Sequence, residues 1–121
     1  MKRDMDLCRR ILFEVEQWET TLAPTRVEID GYTADEIGYN AWLLADEGLI
    51  EGHEVTGDGD AVHQYWPSCL TYRGHDFLEY ARNDTRWKKA TQRIMSLGGA
   101  MTTQAVMVVL KSLLTNEMNP L

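Results

Sequence analysis

The residue types that most often carry catalysis or hold metals are few in this chain and poorly spaced for either task. Cys8, Cys69, His53, His63 and His75 are all of its thiols and imidazoles. They form neither a Cys-x-x-Cys pair nor a His-Glu-x-x-His helix turn, the spacings that aim two ligands at one ion. His53 and His63 are expected to face each other across a hairpin, where two imidazoles would make half a zinc site. Asp58-Gly59-Asp60 resembles a fragment of a calcium loop but lacks the remaining ligand series and its closing glutamate, so it reads as a turn. Gly57, Gly59 and Gly98-Gly99 lack the strand, lysine and helix context that lets glycines cradle phosphate. No catalytic residue, metal ligand or cofactor site is expected, and the chain reads as non-enzymatic. Both cysteines are expected to be small buried apolar residues of a protein in a reducing compartment.

Charge is the stronger signal. The net charge is −7, but it is unevenly spread: residues 1–60 carry −10 and residues 61–121 carry +3. From Val27 through Tyr72 there is no Lys or Arg, while ten carboxylates fall in that window, at Glu28, Asp30, Asp35, Glu36, Asp46, Glu47, Glu51, Glu54, Asp58 and Asp60. A surface built from this stretch repels phosphate and attracts a basic partner. The one basic stripe lies later, where Arg86, Lys89 and Arg93 line one face of a helix.

The elements that must position these charges follow from periodicity and caps. Leu7, Ile11, Leu12, Val15 and Trp18 recur at helical spacing over about Asp4 to Trp18, with Asp4 as N-cap. Arg26-Val27-Glu28-Ile29 alternates polar and apolar before Asp30-Gly31 and predicts a short strand. Thr33-Ala34-Asp35-Glu36 fits a capping box that opens a helix ending at Gly48, with Gly38 a point where it can divide in two. Leu49 to Val55 and Val62 to Leu70 flank a polar tip and predict a hairpin. Three helices follow: one capped by Thr71, one over about Thr85 to Leu97, and one over about Thr102 to Glu117 whose wide apolar surface is suited to burial in a second copy. Trp18, Trp42 and Trp87 fall on apolar faces, whereas Trp66 either closes the hairpin over the core, the favoured reading, or stays exposed as a binding hot spot.

With 121 residues, 44% of them hydrophobic and 26% charged, the chain has the length and composition of one globular domain. No apolar run spans a membrane and the start lacks a signal-peptide pattern, so a cytoplasmic address is expected. Helix, strand, one or two helices and a hairpin is the order of a winged helix-turn-helix domain. The predicted class is α+β, mostly α: a winged-helix-like core over residues 1–80, and a C-terminal helical extension over 81–121 that packs on the core or forms a dimer interface.

Three phrases also carry a family resemblance: Met1-Lys2-Arg3-Asp4-Met5-Asp6-Leu7, Leu43-Leu44-Ala45-Asp46-Glu47-Gly48-Leu49-Ile50-Glu51-Gly52, and Leu70-Thr71-Tyr72-Arg73-Gly74-His75-Asp76-Phe77-Leu78. Together they resemble the domain-of-unknown-function family with the catalogue name twenty-five-thirteen, found in bacteria, prophages and mobile elements. The likeness covers about the first 95 residues and implies a winged-helix-like fold and a phage or prophage setting, with no activity to carry over. The family pattern often has a His where Asn40 stands, and a less acidic helix before Gly48.

A winged helix reads DNA by laying its second helix in the major groove while wing cations neutralise phosphates. Here that helix offers Asp35, Glu36, Asp46 and Glu47, so DNA is the less favoured partner. The expected function is protein binding: Asp35, Glu36, Asp46, Glu47, Glu51, Glu54, Asp58 and Asp60 supply charge, and Tyr39, Asn40 or Trp42 supply specificity, against the basic surface of a host or phage protein. The phage setting implied by the resemblance makes an acidic DNA mimic of the anti-defence or anti-CRISPR type the sharpest form of this expectation. The alternative is a transcription regulator that contacts DNA through Arg86, Lys89 and Arg93.

Overall fold

The computed structural model describes residues 1–118; residues 119–121, the end of the expected extension, lie outside the described residues. Among those described, five helices and one two-stranded antiparallel hairpin make a mostly helical α+β protein. The chain forms two compact units, Met1–Asp76 and one that begins at Phe77.

In the first unit, α1 (Met5–Glu16) starts where the Asp4 carboxylate accepts a hydrogen bond from the Leu7 N–H at 3.0 Å. It buries Met5, Leu7, Cys8, Ile11, Leu12 and Val15, the stripe that the 3.6-residue period requires. Helix α2 (Ala34–Asp46) is opened by the full capping box, with the Thr33 N–H donating to Glu36 at 2.9 Å and the Glu36 N–H donating to Thr33 at 3.1 Å. Gly48, at φ +78°, turns the chain out of it. Helix α1 packs on α2 and on β2, and α2 packs on both strands.

Strand β1 (Ile50–Glu54) pairs with β2 (Tyr65–Leu70) in the register Ile50↔Leu70 and Glu51↔Cys69, then slips by one residue so that Gly52 faces Pro67 and His53 faces Trp66. The slip is a β-bulge, and it presses the two backbones together: a Cβ on Gly52 would lie 2.1 Å from the Trp66 carbonyl oxygen. Helix α3 (Tyr72–Ala81) is started by Thr71, whose hydroxyl accepts from the Gly74 N–H and donates to the Gly48 carbonyl at 2.6 Å.

In the second unit, α4 (Asp84–Ser96) is capped by Asn83 and buries Trp87, Ala90 and Ile94. Helix α5 (Thr103–Met118) packs on it and buries Thr103, Val106 and Leu110. Phe77 meets Trp87 edge to face, with ring centres 6.2 Å apart. Val108 of α5 is exposed, and Ala105, Met107, Val109, Leu113 and Leu114 are half-buried.

Three local expectations are corrected. Residues 26–29 do not form a strand: Val27 and Ile29 are buried as the alternation predicts, but no ladder forms there, and it is the preceding Thr25 whose N–H donates to the Pro67 carbonyl of β2, at 2.9 Å. Gly38 does not divide the helix; α2 is continuous through it. Trp66 does not close over the core but is 37% exposed, while Pro67 and Ser68 next to it are buried. No helix among the described residues is long and apolar enough to cross a membrane.

Candidate functional site

The acidic face is assembled by α2 and the hairpin, and its defining feature is that the hairpin tip folds back on the helix. The His63 ring stacks on Trp42 with centres 3.9 Å apart and planes within 3°, and Tyr39 lies beside Trp42 at 6.0 Å. The Gln64 side chain donates from Nε2 to the Asp35 carboxylate at 2.8 Å. Gly38 makes this approach possible: a Cβ there would sit 2.3 Å from Gln64 Oε1 and 3.0 Å from the His63 carbonyl oxygen. The glycine that reads as a helix break is a notch for the hairpin.

The tip itself is closed by polar bonds. The Val55 N–H donates to the Gln64 carbonyl at 2.8 Å, and the Gln64 N–H donates to the Thr56 hydroxyl at 3.0 Å. Thr56 in turn donates to Glu54 Oε1 at 2.8 Å, and His63 Nδ1 donates to the same oxygen at 2.5 Å. These two bonds, the one from His63 foremost, hold the Glu54 carboxyl below its usual pKa, because they are made to its ionised form. The Asp60 carboxylate accepts from the Gly57 N–H at 2.8 Å. His63 therefore pairs with Glu54 and Trp42 and does not face His53, whose register partner is Trp66. Among the described residues no group of three His, Cys, Asp or Glu is placed to hold a metal ion.

The structure divides the expected partner-binding residues into three sets. Asp46, Glu51 and Asp58 are exposed carboxylates with no ion partner among the described residues. Asp35, Glu36, Glu54 and Asp60 also point carboxylate charge at solvent but hold the hairpin tip or the α2 cap, and Glu47 lies 3.8 Å from Arg73, whose Nη1 donates to the Glu47 carbonyl at 2.7 Å. Tyr39 is half-buried in the stack. Asn40 is removed from the surface altogether: it is 1% exposed. Its Oδ1 accepts from the Asp4 N–H at 2.8 Å and from the Cys8 thiol at 3.5 Å, while its Nδ2 donates to the Glu36 carbonyl at 2.9 Å. Asn40 ties the start of α1 to α2 and presents almost no surface of its own. Its position gives the signal that reveals this, since it falls three residues after Ile37 and four before Leu44, both buried. Burial pushes the Cys8 thiol beside it up to about 12.

The basic stripe is interrupted. Arg86 is ion-paired with Glu117 of α5 at 2.5 Å, and Arg82 with Glu79 at 3.0 Å. Lys89 and Arg93 remain exposed. His63, Gln64 and Thr56 are the site residues that spacing did not reveal, because the pairs they make with α2 and β1 cross from one element to another.

Helices α1 and α2 with a hairpin folded onto a carboxylate-bearing helix define a mostly helical α+β protein with an acidic, phosphate-repelling face. Residues 2–100 match the model of the family described as Hypothetical protein (DUF2513), and the chain belongs to that family. It is similar to an uncharacterized protein of Haemophilus influenzae (strain ATCC 51907 / DSM 11121 / KW20 / Rd), with 28% identity over 116 residues, which is 95% of this chain and 97% of that protein. No solved structure matches the chain.

Proposed function

We propose that this chain is a non-enzymatic protein-binding module on a winged-helix-like frame. Its acidic face occupies the basic groove of a nucleic-acid-binding protein, in the manner of a phage-borne DNA mimic of the anti-defence type. The observation that carries this reading is the hairpin tip lying across α2, with His63 on Trp42 and Gln64 on Asp35. A helix that is to enter a major groove needs a free outer face and cations to meet phosphate. This helix has its outer face occupied by its own hairpin and has no Lys or Arg from residue 27 to residue 72. What α2 and the hairpin together offer outward is carboxylate, from Asp46 on the helix and Glu51 and Asp58 on the hairpin, which suits a basic protein surface and steers its approach. A second copy docked through residues 102–117, where Val108 is 69% exposed, belongs to the same proposal; light scattering reads it directly, and Val108→Glu should leave a monomer.

The test compares the wild-type chain with the triple variant Asp46→Lys/Glu51→Lys/Asp58→Lys in pull-downs from host lysate. The reading expects a basic, nucleic-acid-binding protein to be retained by the wild type, released as salt is raised, and not retained by the variant. A partner held equally by both would refute the assignment of this face. Retardation of duplex DNA by the wild type that is lost in Lys89→Glu/Arg93→Glu would favour the regulator alternative instead.

A further inference from the structure

Beside the Tyr39–Trp42–His63 stack, the hairpin tip and α2 leave a cleft of about 230 Å³ lined by the aromatic residues Tyr39 and His63, the apolar residues Met1, Ala61 and Val62, and the polar Thr56 and Asp60. Resting on the acidic-face reading, we infer that this cleft receives one arginine side chain of the basic partner. An arginine presents an aliphatic stem and a planar, weakly hydrated cation that stacks on aromatic rings. The cleft offers a match for each part: aliphatic wall for the stem, the Tyr39 ring for the guanidinium plane, and a carboxylate at Asp60. One Asp60 oxygen holds the Gly57 N–H, and the other has no hydrogen bond among the described residues. Of the basic groups among the lining residues, His63 is already paired with Glu54, at 2.5 Å. Thr56 is already committed to Glu54 and to the Gln64 N–H, so Asp60 is the group left to pair with an incoming donor. Lysine fits less well, because its compact and strongly hydrated ammonium gains little from an aromatic wall.

The experiment titrates the full-length ¹⁵N-labelled chain with N-acetyl-arginine amide, with its neutral citrulline counterpart, and with an octa-arginine peptide at low salt. The inference expects saturable amide shifts at Tyr39 and Asp60–His63 with the arginine compound, and at least tenfold weaker binding of citrulline. Val62→Trp, which fills the cleft, should abolish these shifts. Asp60→Asn, which keeps an acceptor for the Gly57 N–H, should weaken them at least fivefold. Equal binding of citrulline overturns the inference. So does an octa-arginine complex that is lost in Asp46→Lys/Glu51→Lys/Asp58→Lys yet is unchanged in Val62→Trp and Asp60→Asn, a result that would leave the acidic face standing without its cleft. No shift anywhere with octa-arginine removes the acidic-face reading and the cleft together.

Discussion

Replacing Asn40 by Ala probes whether this residue is structural or a contact. The substitution removes an acceptor for the Asp4 N–H and the Cys8 thiol and a donor to the Glu36 carbonyl. The Glu36 carbonyl keeps its place in the helix ladder, but the Asp4 N–H is left without its partner. A stranded donor of this kind costs about 1–3 kcal/mol, and the lost side-chain bonds about 1 kcal/mol more. Alanine returns about 0.5 kcal/mol through its higher helix propensity. The expected net loss is about 2–3 kcal/mol, read as a fall in the urea midpoint by far-UV circular dichroism at unchanged slope. Asn40→Asp should cost at least as much near neutral pH, because it keeps the acceptor but places a charge in a site that is 1% exposed. A loss below about 0.5 kcal/mol for Asn40→Ala would refute the reasoning, since it would mean that the α1–α2 link contributes little.

Gly38→Ala should destabilise by about 1–2 kcal/mol despite the better helix propensity of alanine, because its Cβ meets Gln64 and the His63 backbone; adding Gln64→Ala should recover part of the loss, so a double-mutant cycle in urea reads the coupling. Gly74→Ala should be worse, at about 3 kcal/mol or more, because the Cβ would lie 2.0 Å from the Leu49 carbonyl oxygen, and backbone cannot swing aside. With 5,5′-dithiobis(2-nitrobenzoate) near pH 8, the native chain should release one fast equivalent of thiol from the half-buried Cys69, and the second, from buried Cys8, only on unfolding. The Cys8 thiol has a folded pKa raised from 9.0 to about 12. Its contribution to stability is therefore complete below pH 9 and is lost as pH rises towards 12, at up to about 1.4 kcal/mol per pH unit; Cys8→Ala should flatten that alkaline slope. Glu117→Gln, which breaks the ion pair with Arg86, should change stability by no more than about 1 kcal/mol, since Glu117 is half exposed.

The helices were legible because each cap and each apolar stripe is local: Asp4, and Thr33 with Glu36, act within three residues. Alternation at Val27 and Ile29 was legible as burial but not as a strand, because the pattern reports which side chains turn inward and not whether a ladder of hydrogen bonds closes beside them. The carboxylate-rich window was plain from composition. What composition could not reveal is that its tip returns to α2, since the Gln64–Asp35 bond joins residues 29 apart and nothing at either end carries a periodic signal. The constraint on Gly38 is space and not backbone freedom, and only the distant Gln64 and His63 reveal it. Asn40 is polar, but its neighbours at helical spacing, Ile37 and Leu44, point inward.

The hairpin lies across α2, and no Lys or Arg stands between residues 27 and 72 to meet phosphate. The most direct test of the acidic-face reading is to follow the amide resonances of Tyr39–Asp46 while duplex DNA from the native upstream region is added at low salt. These resonances should stay where they are. Shifts concentrated in α2, together with loss of the His63–Trp42 contact, would mean that the helix sheds its hairpin to enter the groove, and would contradict that reading.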